Sequence, residues 1–175
     1  MIGQKRLTAE DFIALAEQHP DRRFDMVDGE IVEVSPRKTH GRLQALIAHL
    51  LALYLEQHPQ DAKVYTEVLH DLGGALFIPD VSVNRDEESE QPYFTTPPLL
   101  AVEIRSDTQS REAQRRKARA YIARGAALLW LVMPGEGVEV YRPGAAAQTL
   151  GASDTLDGGA VLPGLSLPVQ RLLAV

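Results

Sequence analysis

Apolar residues between positions 39 and 57 recur at helical spacing, with Leu43, Leu46, Ile47, Leu50, Leu51, Leu53 and Tyr54 spread around most of the circumference. The pattern predicts a central, heavily buried helix with Thr39 as its N-cap. A shorter helix is expected from Thr8 to about Gln18, with Phe12, Ile13 and Leu15 for burial. Between the two, residues 24–34 place Asp28-Gly29 between apolar-rich arms, the strongest short-range signal for a hairpin with a two-residue turn, and Ser35-Pro36 closes it. Downstream the period changes to two. Residues 64–72 and 75–83 read as strands joined by Gly73-Gly74, the second ending in the acidic loop Asp86-Glu87-Glu88. Pro97-Pro98 introduces a third strand over 99–104. Ser106 and Gln109 then have capping-box spacing for a basic helix that Gly125 ends. A fourth strand, 128–132, is apolar on both faces as interior strands are, and 138–141 pairs beside it through Pro134-Gly135. Composition turns loop-like from 144 to 159, and 162–173, with Pro163-Gly164 and Pro168, is expected to pack back as an irregular tail. Helix, three strands, helix, strand gives an α/β fold, a sheet with helices on its faces.

Length and composition narrow the class. A chain of 175 residues, 45% hydrophobic and 24% charged, fits one ordinary globular domain able to bury a real core. No apolar run reaches the length of a bilayer span. Lys5 and Arg6 lead into the acidic Glu10-Asp11 rather than into a signal peptide's apolar region, so a cytoplasmic location and no membrane partner are expected. Cysteine is absent, which excludes disulfides, thiolate catalysis and cysteine-ligated zinc, and leaves carboxylates, histidines and carbonyls to hold any metal.

The formal charge of −6 argues at first sight against a polyanionic partner. The average conceals a segregation. Between 105 and 124, seven basic residues (Arg105, Arg111, Arg115, Arg116, Lys117, Arg119, Arg124) face only Asp107 and Glu112, so this stretch carries +5 and the remainder −11. A solvated helix face is the usual fate of such a run, and a partner has to be argued from something more.

That something is a pair of acids. Asp80 follows Pro79 at the end of one apolar run, and Glu103 interrupts another, Val102-Glu103-Ile104-Arg105. Asp after Pro is by itself a common turn former. Glu103 is harder to dismiss, because a carboxylate in a buried strand is costly unless it meets a cation or a metal; its structural alternative is an ion pair with Arg105 or a helix arginine. If the basic helix is regular, Ala113, Lys117, Ala120, Tyr121 and Arg124 form a stripe that turns Lys117 toward the sheet, although a lysine there can also snorkel out past the alanines. Two strand acids beside a lysine suit a divalent cation and a phosphate, since Mg²⁺ takes hard oxygen ligands and often only one or two protein carboxylates. Glu67, in the first strand of the sheet, is a further candidate near the metal. His40, opening the central helix, either approaches a phosphate or caps the turn. The other histidines show no ligand spacing, no glycine loop cradles a phosphate, and no serine sits in a nucleophile elbow.

The ordered set Phe24-Asp25-Met26-Val27-Asp28-Gly29-Glu30-Ile31, Ser35-Pro36, His40, Ile78-Pro79-Asp80-Val81, Val102-Glu103-Ile104-Arg105-Ser106, Lys117-x-x-x-Tyr121, Gly125 and Leu129-Trp130-Leu131-Val132 resembles the PD-(D/E)xK restriction-endonuclease-like superfamily, and within it the bacterial Uma-two family of proposed endonucleases. The resemblance implies a mixed central sheet with an αβββαβ core. It spans residues 39–142, preceded by the helix and hairpin of 1–38 and followed by the tail of 143–175, all as one domain. It implies a Mg²⁺- or Mn²⁺-dependent endonuclease that hydrolyses DNA phosphodiester bonds. Asp80 and Glu103 would be the metal ligands and Lys117 the residue at the nucleophile. Asp25, Glu67, His40, Arg105 and Tyr121 are accessory candidates, and Arg105, Arg111, Arg115 and Arg116 the grip on the nucleic-acid backbone. Nucleases of this size commonly work as pairs, so a homodimer is expected. Two departures stand out: Arg105 occupies the superfamily's lysine position and cannot act as a base, and Asp25 stands where the family usually has glutamate. Both favour a rival, a binding module that keeps the fold without catalysis.

Overall fold

The structure, a computed structural model, describes residues 7–27, 30–34, 37–85, 89–106 and 109–174. Helix α1 (Ala9–Gln18) starts on a reciprocal capping box, in which the Thr8 hydroxyl accepts the Asp11 N–H and the Asp11 carboxylate accepts the Thr8 N–H. Strands β1 (Arg23–Val27) and β2 (Glu30–Val34) form the expected antiparallel hairpin, with Val27 opposite Glu30. Its turn, Asp28-Gly29, lies outside the described residues, as do Ser35-Pro36, Asp86-Glu87-Glu88 and Asp107. Helix α2 (Lys38–Gln57) begins two residues earlier than expected: Arg37 is the N-cap, and Thr39 lies inside the first turn. It buries a single stripe, Leu43, Ile47, Leu50, Leu51 and Tyr54, rather than most of its circumference, and Leu53 is exposed.

The two long strands expected over 64–83 are each broken in two: β3 (Lys63–Tyr65) and β4 (His70–Asp71), then β5 (Leu76–Phe77) and β6 (Val81–Asn84). Backbone conformation explains both breaks. Glu67 has φ of +56°, which a ladder cannot continue, and Pro79 has no N–H to give. The Glu67 N–H instead donates to the Pro79 carbonyl, tying the two breaks together. Then come β7 (Leu100–Ile104), α3 (Arg111–Ala123), β8 (Leu129–Met133), β9 (Gly137–Tyr141), β10 (Gln148–Leu150), β11 (Thr155–Gly158), β12 (Leu162–Pro168) and α4 (Gln170–Leu173). The N-cap of α3 is Ser110, whose hydroxyl accepts the Ala113 N–H, so the Ser106/Gln109 spacing does not start the helix.

The central sheet has the order β10-β9-β8-β7-β6-β3. Its β7·β8 pair is parallel, with α3 as the crossover, and the other pairs are antiparallel. Alternation along β7 separates the two sides. Leu100, Val102 and Ile104 meet α2, while Ala101 lies in the core under α3 with Leu129, Leu131, Ala118 and Tyr121. The mixed α/β sheet with flanking helices and an N-terminal helix and hairpin is therefore as expected. Among the described residues no helix is long and apolar enough to cross a membrane.

The C-terminal segment is not irregular. Strand β10 extends the sheet, and β11 and β12 form a hairpin whose Leu156, Leu162, Leu165 and Leu167 join the core on the α2 side with Leu172 of α4. Pro163-Gly164 is absorbed at a register shift, and Gly158 lets the strands close there, since a Cβ at that position would meet Leu162 at 2.5 Å. The Tyr54 hydroxyl donates to the Pro163 carbonyl at 2.7 Å, fastening the hairpin to α2. Tyr54→Phe is expected to lower stability by about 1 kcal/mol, measurable as a shift in the urea midpoint at unchanged slope.

Candidate active site

Val81 pairs with Val102 across β6 and β7, so Asp80 and Glu103, one position further on each strand, stand level at the same end of the sheet. One Asp80 oxygen accepts the Ile104 backbone N–H at 2.6 Å, and the other lies 3.0 Å from His40 Nε2 in the first turn of α2. Gln44, one turn further along α2, donates to the Asp80 carbonyl at 3.0 Å and to Glu67 at 3.2 Å. The first acid is thus held by a strand and a helix, not merely turned at a strand edge.

Glu103 meets a different pair. Lys117 Nζ donates to Oε2 at 2.9 Å, and the Tyr121 hydroxyl donates to Oε1 at 2.8 Å. The inward face of α3 consists of Gln114, Lys117, Ala118 and Tyr121. Lys117 and Tyr121 point to the sheet as expected, but Ala113, Ala120 and Arg124 are not on the buried stripe. Tyr121 does more than pack: its ring lies 4.3 Å from that of Phe77, and its hydroxyl fixes the carboxylate. Lys117 also bridges to Asp25 on β1, at 3.0 and 3.3 Å. Gln109 donates to the same carboxylate at 3.3 Å, and the Met26 N–H at 2.7 Å. The hairpin therefore delivers a third acid to the site, despite the shortened side chain.

Electrostatics follow from one ammonium among three carboxylates. Burial pushes the Glu103 carboxyl up from 4.5 to about 8; Lys117 works against this, and the nearby Asp80 and Asp25 charges with it. Burial by itself would lower Lys117, but Glu103 and Asp25 outweigh it and hold the ammonium well above its ordinary value. Lys117 is a fixed positive charge at neutral pH. Burial, and then the Glu103 charge, raises the Tyr121 hydroxyl far out of its ordinary range, so Tyr121 acts only as a donor. The hydrogen bond to Asp80 raises His40.

Glu67 lines the cleft with its carboxylate on Arg23 and Gln44. Arg105 reaches the cleft wall while its guanidinium bonds Glu136, which Arg111 also holds. Arg115 is bidentate on Glu139, a carboxylate buried in β9 that it holds below the ordinary range. Of the arginines expected to grip a nucleic-acid backbone, Arg105, Arg111 and Arg115 thus engage acids of the β8–β9 hairpin. Arg116 is exposed on α3.

Asp25, Asp80, Glu103, His40 and Glu67 line one cleft of about 470 Å³, walled on the far side by α1 and the N-terminal hairpin. Gln44, Gln109 and the Ile104 N–H were not expected. Gln44 shares the His40 face of α2 at i+4, a signal that could have found it. A backbone N–H leaves none. Among the described residues, no three His, Asp or Glu side chains are gathered as a ready cation cage. The donors nevertheless suit a hard cation: carboxyl oxygen atoms from adjacent strands, with three acids gathered around the one lysine.

The family model described as "Putative restriction endonuclease" matches residues 9–170 of the chain. No curated protein matches it. A crystal structure of "a putative nuclease belonging to DUF820" from Anabaena variabilis ATCC 29413 superposes with a TM-score of 0.80 at 21% identity, covering 96% of this chain and 98% of that one.

Proposed function

The chain belongs to the Uma2 family, described as "Putative restriction endonuclease", and from that premise we propose that it hydrolyses phosphodiester bonds of DNA with the help of a divalent cation, Mg²⁺ or Mn²⁺. The observation that carries this reading is that Asp80 and Glu103, from adjacent strands, line the base of one cleft while Lys117 of the helix bonds Glu103 behind it. Asp80 and Glu103 would hold the cation. Such a cation, when bound, polarises a phosphoryl oxygen and makes a water molecule more acidic.

The chain's own groups supply the rest. His40 and the Ile104 N–H fix the orientation of Asp80, and Tyr121 that of Glu103. The Lys117 ammonium, charged throughout the neutral range, orients the attacking water and offsets charge that builds on the phosphate. It does not serve as the base. Asp25 holds it on the hairpin side. The second reading is a DNA-binding module on the same fold without catalysis. It is favoured by Arg105 at the superfamily's lysine position, where the side chain is tied to Glu136.

Calorimetric titration of Mn²⁺ needs no substrate and tests the cation site directly. Saturable binding is expected in the wild-type chain and its loss in both Asp80→Ala and Glu103→Ala. Binding unchanged in either variant would remove that residue from the ligand set. Bound metal without cleavage of any DNA would favour the second reading.

A further inference from the structure

The cleft is built for more than a phosphate. The acids lie at its base, with side-chain exposure of 13% for Glu103 and 19% for Asp25 and for Asp80, and Lys117, 7% exposed, lies behind Glu103 and Asp25. Its outer wall carries an apolar strip, formed by Phe12 and Ala16 of α1, Phe24 and Val34 of the hairpin, and Ile78. Phe24 and Ile78 pack on the small cluster around Phe12 and Met26, so the wall is part of a core and not a loose flap.

A phosphate and a cation have no use for that wall. A nucleobase does, because every base has a π-face that stacks on an aromatic ring whatever its sequence. The space, about 470 Å³, suits a ligand of small-molecule size. An unpaired nucleotide fits such a space without bringing a complementary strand with it. We propose that the strand enters alone: the substrate is single-stranded or locally unpaired DNA, with one unstacked base held on the Phe24 wall while its phosphate reaches Asp80, Glu103 and Lys117. This rests on the nuclease reading above and adds the substrate class to it.

Charge in the same wall fits this occupant. Arg22 lies 5.6 Å over the Phe24 ring, and Arg22 and Arg23 carry ion pairs with Glu33 and Glu67. Those pairs are exposed, hence weak, and neighbouring phosphates can replace the carboxylates at little cost. The contrast is with Arg115, whose partner Glu139 is buried. An already unpaired base also spares the energy of extrusion, which a duplex would have to supply.

Fluorescence anisotropy on the full chain in Ca²⁺ tests this without requiring turnover. The probes are labelled oligothymidylate of about 20 nucleotides and the same strand annealed to its complement. The single strand is expected to bind at least about tenfold more tightly than the duplex. Phe24→Ala should weaken single-strand binding by roughly five- to tenfold while leaving duplex binding unchanged, and Phe24→Trp should restore it. The Trp variant keeps the wall filled, so it answers even if the Ala variant is unstable. Duplex binding as tight as single-strand binding would overturn this inference and leave the nuclease reading standing. A single-strand preference indifferent to Phe24→Ala would also overturn it, since the base would lie elsewhere. Failure of both probes to bind would overturn the nuclease reading with it.

Discussion

Lys117→Met is expected to lower DNA cleavage by about 10²–10³-fold, the usual cost of deleting one preorganised electrostatic donor. The side chain is buried, its ammonium lies 2.9 Å from Glu103 and 3.0 Å from Asp25, and no other cation touches both acids in the described residues. Removing it leaves two carboxylates facing each other without their shared positive charge. Breaking a buried pair in this way costs about 3–5 kcal/mol where both acids are ionised. The loss should be smaller below about pH 8, where Glu103 takes up a proton and the repulsion fades. The two effects separate by experiment. Single-turnover cleavage of a labelled oligonucleotide, measured well below the variant's melting temperature, reports the chemical part, and melting curves across pH report the structural part. Full cleavage by the Met variant would remove Lys117 from the chemistry and leave it a structural ion-pair partner.

Glu103→Gln should flatten the pH dependence of stability in the metal-free protein. The folded-state carboxyl titrates near 8 against an ordinary 4.5, so between those values the native chain binds a proton that the unfolded chain has lost. Stability therefore falls as pH rises through this window, and the contribution of the protonated carboxyl is fully present only below it. Glutamine keeps an acceptor for Lys117 and a neighbour for the Tyr121 hydroxyl but has no proton to lose. The variant's melting temperature, relative to wild type, should climb by on the order of 5 °C between about pH 5 and pH 9. Adding Mn²⁺ should stabilise the wild type and not the variant, because a cation held by Glu103 replaces the proton. Parallel curves for the two chains across the range would mean that Glu103 is ionised throughout and fully matched by Lys117.

Neither variant would have been chosen from composition. The net charge of −6 points away from DNA, and the seven cations gathered between 105 and 124 point toward it. The structure qualifies both readings: Arg105 and Arg111 share Glu136, and Arg115 holds Glu139. Much of the local positive charge is spent inside the molecule. Charge clustering along a helix is visible in a sequence, but its neutralisation by a neighbouring hairpin is not.

What the sequence determined by itself is what its local periodicities encode. Helices α1, α2 and α3, the Asp28-Gly29 hairpin arms and strands β7, β8 and β9 all follow from spacing within a few residues. So does the oddity of Glu103, an acid set into an apolar run. The inward turn of Lys117 and Tyr121 follows too, because i and i+4 share a helix face.

Only the tertiary structure decided the partners. Asp25 reaches Lys117 across 92 positions of chain, and His40 reaches Asp80 across 40. The breaks at Glu67 and Pro79 are joined by one backbone bond between them, and the C-terminal leucines pack where α2 and the sheet leave a face for them. The physical reason is the range of the interactions. Periodicity reports which side of an element is apolar, whereas a buried ammonium between two acids is set by strand register and helix docking, which no short window of sequence contains.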